Sequence, residues 1–393
     1  MFKEGGRMKQ ISTETLKYMW RNRKNQLFMV VMILLMLFYT IFIVQDYNQH
    51  QDVDIDTLET EMRGNANQAT HAEDQGWLEP SSYTGTTAYI EKIGEFGQQR
   101  ELFTILKQGD IYRYLSSNYV ALISGGSEEE PIGPAGISGL FYNLLGVDPI
   151  YQKQHRYITE IENLNFHIVH EITSLQQIHL FLLGAGPLIL LSGLAFMISD
   201  IHTKDRSLSS QKLGMPLSWQ KSLLSQSLAA LAFVGMFYLV FLGLFYLING
   251  ILHGFGLFSY PISMGWNTIG EFLIRTIPYF FLLIMIFTRL NTLFSLWTRH
   301  PIITMILLLF IIFSSSIYMD STSISEMGFN LGYLPISYIS FGKIVSGQHH
   351  LRPIREGLTV YNSGLIVLAI TLIIIEILVY FSSKKITRQK FMV

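Results

Sequence analysis

Residues 222–252 read SLLSQSLAALAFVGMFYLVFLGLFYLINGIL, from Ser222 to Leu252, without one charged side chain. A helix of that length is about 46 Å long at 1.5 Å per residue. A bilayer core of about 30 Å needs only about 20 apolar residues. The stretch therefore reads as a membrane span that tilts or protrudes. Working outward, five more apolar runs appear: 27–45, 178–199, 268–288, 301–319 and 363–382. The expected fold is an all-α polytopic membrane protein with six transmembrane helices.

The composition agrees. Charged residues make up 15% of the 393 positions, against about 25% in soluble domains. This excludes an ordinary soluble enzyme and a disordered chain. A net charge of −1 argues against nucleic-acid binding. With no Cys there are no disulfides, thiolate metal sites or Cys nucleophile. The first apolar run is too long for a cleaved signal and lacks a small-x-small site, so it reads as a retained anchor. Lys3-Glu4-Gly5-Gly6 resembles a translated ribosome-binding sequence, which would make Met8 the native start.

Lys and Arg set the orientation. Residues 1–26 hold seven, the 200–221 loop four, the 289–300 turn two and the tail 383–393 four. The opposite segments 253–267 and 320–362 hold none and three. Both termini are therefore expected in the cytoplasm, with 46–177 outside. That outer segment carries 20 acidic against seven basic residues, a net charge of −13, and is long enough to be a domain. Apolar spacing predicts helices over 98–124 and 139–177, the last running unbroken into the second span. Residues 47–85 read as loosely structured and 124–139 as a loop. The acidity is either a solvated surface or an attraction for cations.

Gln10–Asn25 reads as an interfacial helix capped by Ser12 or Thr13, with Leu16, Met19 and Trp20 as its apolar stripe. Such a helix contacts membrane lipid. The 200–221 loop is short, charged and punctuated by Gly214 and Pro216. Asp200, His202, Lys204, Asp205, Arg206, Lys212, Gly214 and Pro216 are its candidate contacts to a cytosolic partner.

Three charges fall inside spans. Glu271 and Arg275 are spaced to pair on one helix face. Glu376 lies about 12 Å inside the boundary marked by Lys384. An isolated charge at mid-bilayer costs roughly 2.5–3.5 kcal/mol. Glu376 must face the bundle, be protonated or meet a partner, and a structural hydrogen bond and a transport path both remain open. His167, His170 and Glu171 share one face of an ideal helix, but their order matches no zinc motif. His349-His350 is an equally weak candidate. No metal, catalytic residue or cofactor is assigned to this chain. It has no Gly-x-x-x-x-Gly-Lys-Ser/Thr loop for nucleotide.

The layout resembles the permease subunit of ABC-2-type ATP-binding-cassette exporters. The resemblance rests on the interfacial helix, six spans and an outer domain between spans one and two. It also rests on Asp205-Arg206, Gly214 and Pro216-Leu217-Ser218 in the 200–221 loop. Leu334–Tyr338 through Gly347 is similar to the family's re-entrant region. The resemblance implies that a separate cytosolic ATPase subunit binds ATP and Mg and docks on the 200–221 loop. It implies a second permease copy or paralogue, with Gly235 and Gly243 of the third span near the seam. The outer domain resembles those of members implicated in peptide or sodium export in Gram-positive bacteria, which implies a hydrophobic or cationic peptide as the first cargo, a lipid or other amphiphile as the second and sodium as the third, moved across the cell membrane. The alternative is a non-transporting receptor or sensor whose outer domain binds a ligand. The short 383–393 tail disfavours that reading.

Overall fold

The computed structural model describes residues 2–44, 55–76, 87–116, 154–208, 217–262, 268–319, 331–347, 351–355 and 357–392. Everything among them is helix, turn or irregular chain. One isolated antiparallel bridge joins Pro261 and Thr268.

The chain opens with α1 (Phe2–Arg21) and α2 (Arg23–Phe38), which ends in a π-helical turn at Tyr39–Ile43. α1 is longer than the expected 10–25 helix. Ser12 and Thr13 lie inside it and cap nothing. Ser12 Oγ sits 2.8 Å from Ser225 Oγ, and Thr13 Oγ1 donates to the Lys9 carbonyl. The elbow is made by Asn22, whose extended backbone breaks the helix and whose Oδ1 accepts from Lys24 N at 3.1 Å.

The acidic segment contributes α3 (Ile55–Asp74), α4 (Ala88–Gln108), α5 (Ile111–Ser116), α6 (Gln154–Glu160) and α7 (Phe166–Val169). The region read as loosely structured therefore holds a 20-residue helix, packed along α4. Polar composition hid it, because only Leu58, Ala69 and Ala72 are buried. Gly109 stops α4 in a left-handed conformation that a Cβ disfavours. Asp110 then accepts from Arg113 N at 3.1 Å. The 124–139 loop lies outside the described residues.

The second apolar run is not one helix continuing from the acidic segment. It is α8 (Ser174–Leu183) and α9 (Gly186–Ile198), broken at Gly184–Ala185. Pro187, which has no backbone N–H, opens α9. Glu171, with φ 58°, makes a further turn ahead of α8.

The remaining long helices are α10 (Trp219–His253), α11 (Ile269–Thr298), α12 (Pro301–Met319) and α14 (Val360–Lys385). Short α13 (Phe341–Ser346) precedes α14, and α15 (Arg388–Met392) follows it. Thr268 and Thr359 cap α11 and α14 by accepting from Glu271 N and Asn362 N. α11 does not stop at residue 288. Past residue 288 no Gly or Pro occurs until the helix ends at Arg299, which is left-handed at φ 56°, with Pro301 beyond it. Most of the expected 289–300 turn is thus helical.

Among the described residues, five helical segments are long and apolar enough to cross a membrane: Arg23–Ile43, Gly186–Arg206, Trp219–His253, Ile269–Thr298 and Val360–Lys385. α12 is a shorter apolar helix. The chain is an all-helical, membrane-embedded protein. α11 sits at the middle of the bundle, against α9, α10, α12, α13 and α14. Gly364 permits its approach to α14: a Cβ there would overlap the Tyr279 hydroxyl and the Tyr338 ring. Exposed Leu239, Ile251, Ile274, Phe310 and Phe381 show where hydrocarbon meets the bundle.

Candidate functional site

The 200–208 segment folds back against α10 and α11 as a turn and a 3-10 helix, Thr203–Leu208. His202 is buried, 1% exposed, and Asp205 is 3% exposed. Neither can touch another protein in this conformation. They are the start of an internal chain of polar contacts instead.

Asp205 Oδ2 accepts from Gln226 Nε2 at 2.6 Å. Gln226 Oε1 then faces His202 Nδ1 at 2.8 Å. A carbonyl oxygen only accepts, so Nδ1 carries the hydrogen. His202 Nε2 lies 2.9 Å from Thr292 Oγ1, which lies 3.0 Å from Ser227 Oγ. Arg289 Nη1 donates to Ser227 Oγ at 3.1 Å. Arg289 Nε and Nη2 donate to the two Glu376 oxygens at 2.5 and 2.7 Å.

Six hydrogen-bonded links thus join the 200–208 segment to α14 through α10 and α11. Donors can run in one direction, from the Arg289 cation to the Asp205 anion, so successive dipoles reinforce one another. Two links are switchable. Thr292 has the Thr288 carbonyl as a second acceptor at 3.1 Å, and Ser227 has the Leu223 carbonyl at 2.9 Å. Rotating two hydroxyls breaks the chain without moving a helix.

The Arg289–Glu376 pair answers the question Glu376 poses. Its partner comes from the length of α11 that extends past residue 288. The pair is bidentate, the geometry that suits a guanidinium. Arg289 is the buried member; the Glu376 side chain is 42% exposed and opens on a cleft between α10 and α14.

Asp200 anchors a second cluster. Lys24 Nζ is 3.0 Å from its Oδ1. Tyr18 Oη and Asn22 Nδ2 donate to its Oδ2 at 2.9 and 2.7 Å. Burial, then Asp200, pushes the Tyr18 phenol up from its ordinary range. The Lys204 ammonium stands 4.3 Å from the centre of the Tyr18 ring. The α1–α2 elbow is thereby tied to the end of the broken helix α8–α9. Arg206 Nη1 donates to the Arg299 carbonyl at 2.9 Å, clamping the same segment to the end of α11.

Lys212, Gly214 and Pro216 lie outside the described residues, as do His349 and His350. Ser218 takes the N-cap position of α10 without a side-chain bond. Trp219 packs against Phe391 and beneath Arg388. Glu271 and Arg275 are both exposed on the first turns of α11 and take no part in the polar chain described above. His167 is exposed while His170 and Glu171 are buried, because α7 ends at Val169. Among the described residues no group of three His, Cys, Asp or Glu could hold a metal. Glu171 accepts from Tyr157 Oη at 3.2 Å, and Tyr39 Oη donates to Gln177 Oε1 at 3.0 Å. The second bond ties the start of α8 to the π-helical turn that ends α2.

The DUF2705 family, described as "Protein of unknown function", matches residues 154–387. The chain belongs to this family. The matched region holds all seven residues of the polar chain and omits α1, α2 and the α3–α4 pair. No curated protein and no solved structure matches the chain.

Proposed function

We propose that this DUF2705 protein is the permease subunit of an ABC-2-type exporter, powered by ATP hydrolysis on a separate cytosolic subunit. α12 is the sixth span, both ends of the chain are cytoplasmic, and the acidic 46–177 segment is outside. The cargo is a hydrophobic or cationic peptide, or another amphiphile.

The observation that carries this reading is the polar chain from Asp205 to Glu376. A permease without its own nucleotide site must convert contact at its inner face into movement of its spans. A buried, switchable connection from the 200–208 segment to the last span is a device for that, since gating needs two states with different contacts. Lys204 and Arg206, both half-buried, and the stretch holding Lys212, Gly214 and Pro216 meet the ATPase. His202 and Asp205 relay. α1 supports the same surface by packing along α10. Gly235 and Gly243 have open space beside them on α10, which leaves room for a second copy to approach closely.

Isolation of the full chain from native membranes in mild detergent tests the reading. ATP hydrolysis should co-purify and should disappear when the phosphate-loop lysine of the companion subunit is replaced. A chain that moves its cargo with no nucleotide-hydrolysing companion overturns it.

A further inference from the structure

α2, the broken span α8–α9 and α10 border a cavity of about 200 Å³. Met32, Met36 and Tyr39 form one wall, and Phe181, Phe241 and Phe245 the other. The rings brace one another: the Phe245 centroid lies 5.7 Å from that of Tyr39 and 5.8 Å from that of Phe181. Ala185, half-buried at the break between α8 and α9, also lines the cavity.

The chemistry of this cavity excludes water. Its surface is wholly apolar. Among the described side chains that line it only Tyr39 is polar, and its hydroxyl donates to Gln177 Oε1 at 3.0 Å. A bound water needs about two to four polar partners, whereas an apolar cavity of about 150 Å³ stays dry and takes up benzene. The position of the cavity supplies the ligand. Met32 to Tyr39 lie about 13 to 24 Å along the helix from Arg23, a depth that a hydrocarbon core of about 30 Å spans. Leu35 and Phe38 line the cavity and are exposed. They share a face of α2 with exposed Leu34 and Ile41, so the mouth continues the surface that meets hydrocarbon. Methionine walls adapt to a flexible occupant.

We propose that this cavity binds an acyl chain of a bilayer lipid, which enters sideways between α2 and α9 with its methyl end against the aromatic wall. The bound acyl chain props the broken span against α2 and α10. The inference rests on the protein being embedded in a membrane and does not need the exporter reading, so either can fail alone.

The test uses the full protein in vesicles of phosphatidylcholine that carries a photoactivatable diazirine, either near the methyl end of the acyl chain or beside the headgroup. Cross-linked residues are mapped by mass spectrometry. The methyl-end probe should mark Met32, Met36 or Phe245, each 3% exposed, several-fold more than the headgroup probe does. Ala185→Phe, which fills the cavity, should cut that labelling about tenfold, equivalent to losing about two buried methylenes. Labelling of exposed Ile373 on α14 should stay unchanged. Labelling of the parent protein confined to exposed positions such as Leu34 and Ile41 overturns the proposal, whether or not the variant folds. Labelling of the buried walls that survives Ala185→Phe also overturns it. Walls marked in pure vesicles but shielded in native membranes fused with the probe lipid would assign the cavity to another apolar molecule and overturn the choice of lipid.

Discussion

The Arg289 guanidinium holds both oxygens of the Glu376 carboxylate across α11 and α14, with Ser227 of α10 behind it. Three helices therefore share one ion pair. Removing one partner leaves the other charge stranded at membrane depth, which is worse than removing both. Glu376→Gln should lower stability by about 1–3 kcal/mol, between the values for exposed pairs and for broken fully buried pairs, because Glu376 is half-exposed. The double variant Arg289→Met/Glu376→Met should recover much of that loss. Thermal unfolding in detergent of the parent, Arg289→Met, Glu376→Met and the double variant closes the cycle, and simple additivity would deny the pair.

Thr292 sits at the middle of the polar chain. Thr292→Val keeps the shape and removes the hydroxyl that reaches His202 Nε2. The stranded ring nitrogen should cost about 1–3 kcal/mol. Thr292→Ser should restore both the stability and the coupling of ATP hydrolysis to transport. A Thr292→Val complex that transports as tightly coupled as the parent would remove Thr292 from the relay.

Tyr18 gives a pH signature. Its phenol is raised above the ordinary value of 10.0 by burial and by Asp200. At pH above 10 the unfolded chain loses this proton while the folded chain keeps it. The stability contributed below pH 10 is therefore lost as pH rises toward the folded value. Stability should fall less steeply between pH 9.5 and 11 in Tyr18→Phe than in the parent, a window set by the ordinary value. Equal slopes in denaturant titrations at those pH values would contradict the buried Tyr18–Asp200 contact.

Gly364 is where α14 passes Tyr279 and Tyr338. Gly364→Leu should destabilise by about 1–3 kcal/mol through overpacking, whereas Gly243→Leu, with open space beside it, should leave the monomer unchanged. Unfolding measurements on the two variants separate these sites.

Much of the helical layout was legible because spans are long and uncharged, as at 222–252. Breaks were harder. Gly184, Gly186 and Pro187 stood inside an apolar run whose overall hydropathy outweighed them, so a broken helix read as a continuous one. α3 was missed for the opposite reason: its helix is stabilised by a narrow stripe against α4, and its composition is polar. Glu376 announced itself as a charge inside a span, but its partner did not. Arg289 lay past the expected end of the fourth span, and only the missing breaker before Arg299 hinted that the helix continued. Gln226, Ser227 and Thr292 carry no charge, so hydropathy hid them. A spacing signal existed in Thr288, Arg289, Asn291, Thr292 and Ser295, which repeat at three and four along α11 and are all buried.

The proposed relay is tested most directly by the thiol reactivity of Tyr380→Cys, in the cleft beside Glu376, in the chain isolated with the proposed ATPase subunit, with and without ATP and Mg. Nucleotide should change the labelling rate several-fold, and Thr292→Val should abolish the change while hydrolysis continues. A rate indifferent to nucleotide, or a response that survives Thr292→Val, would contradict it.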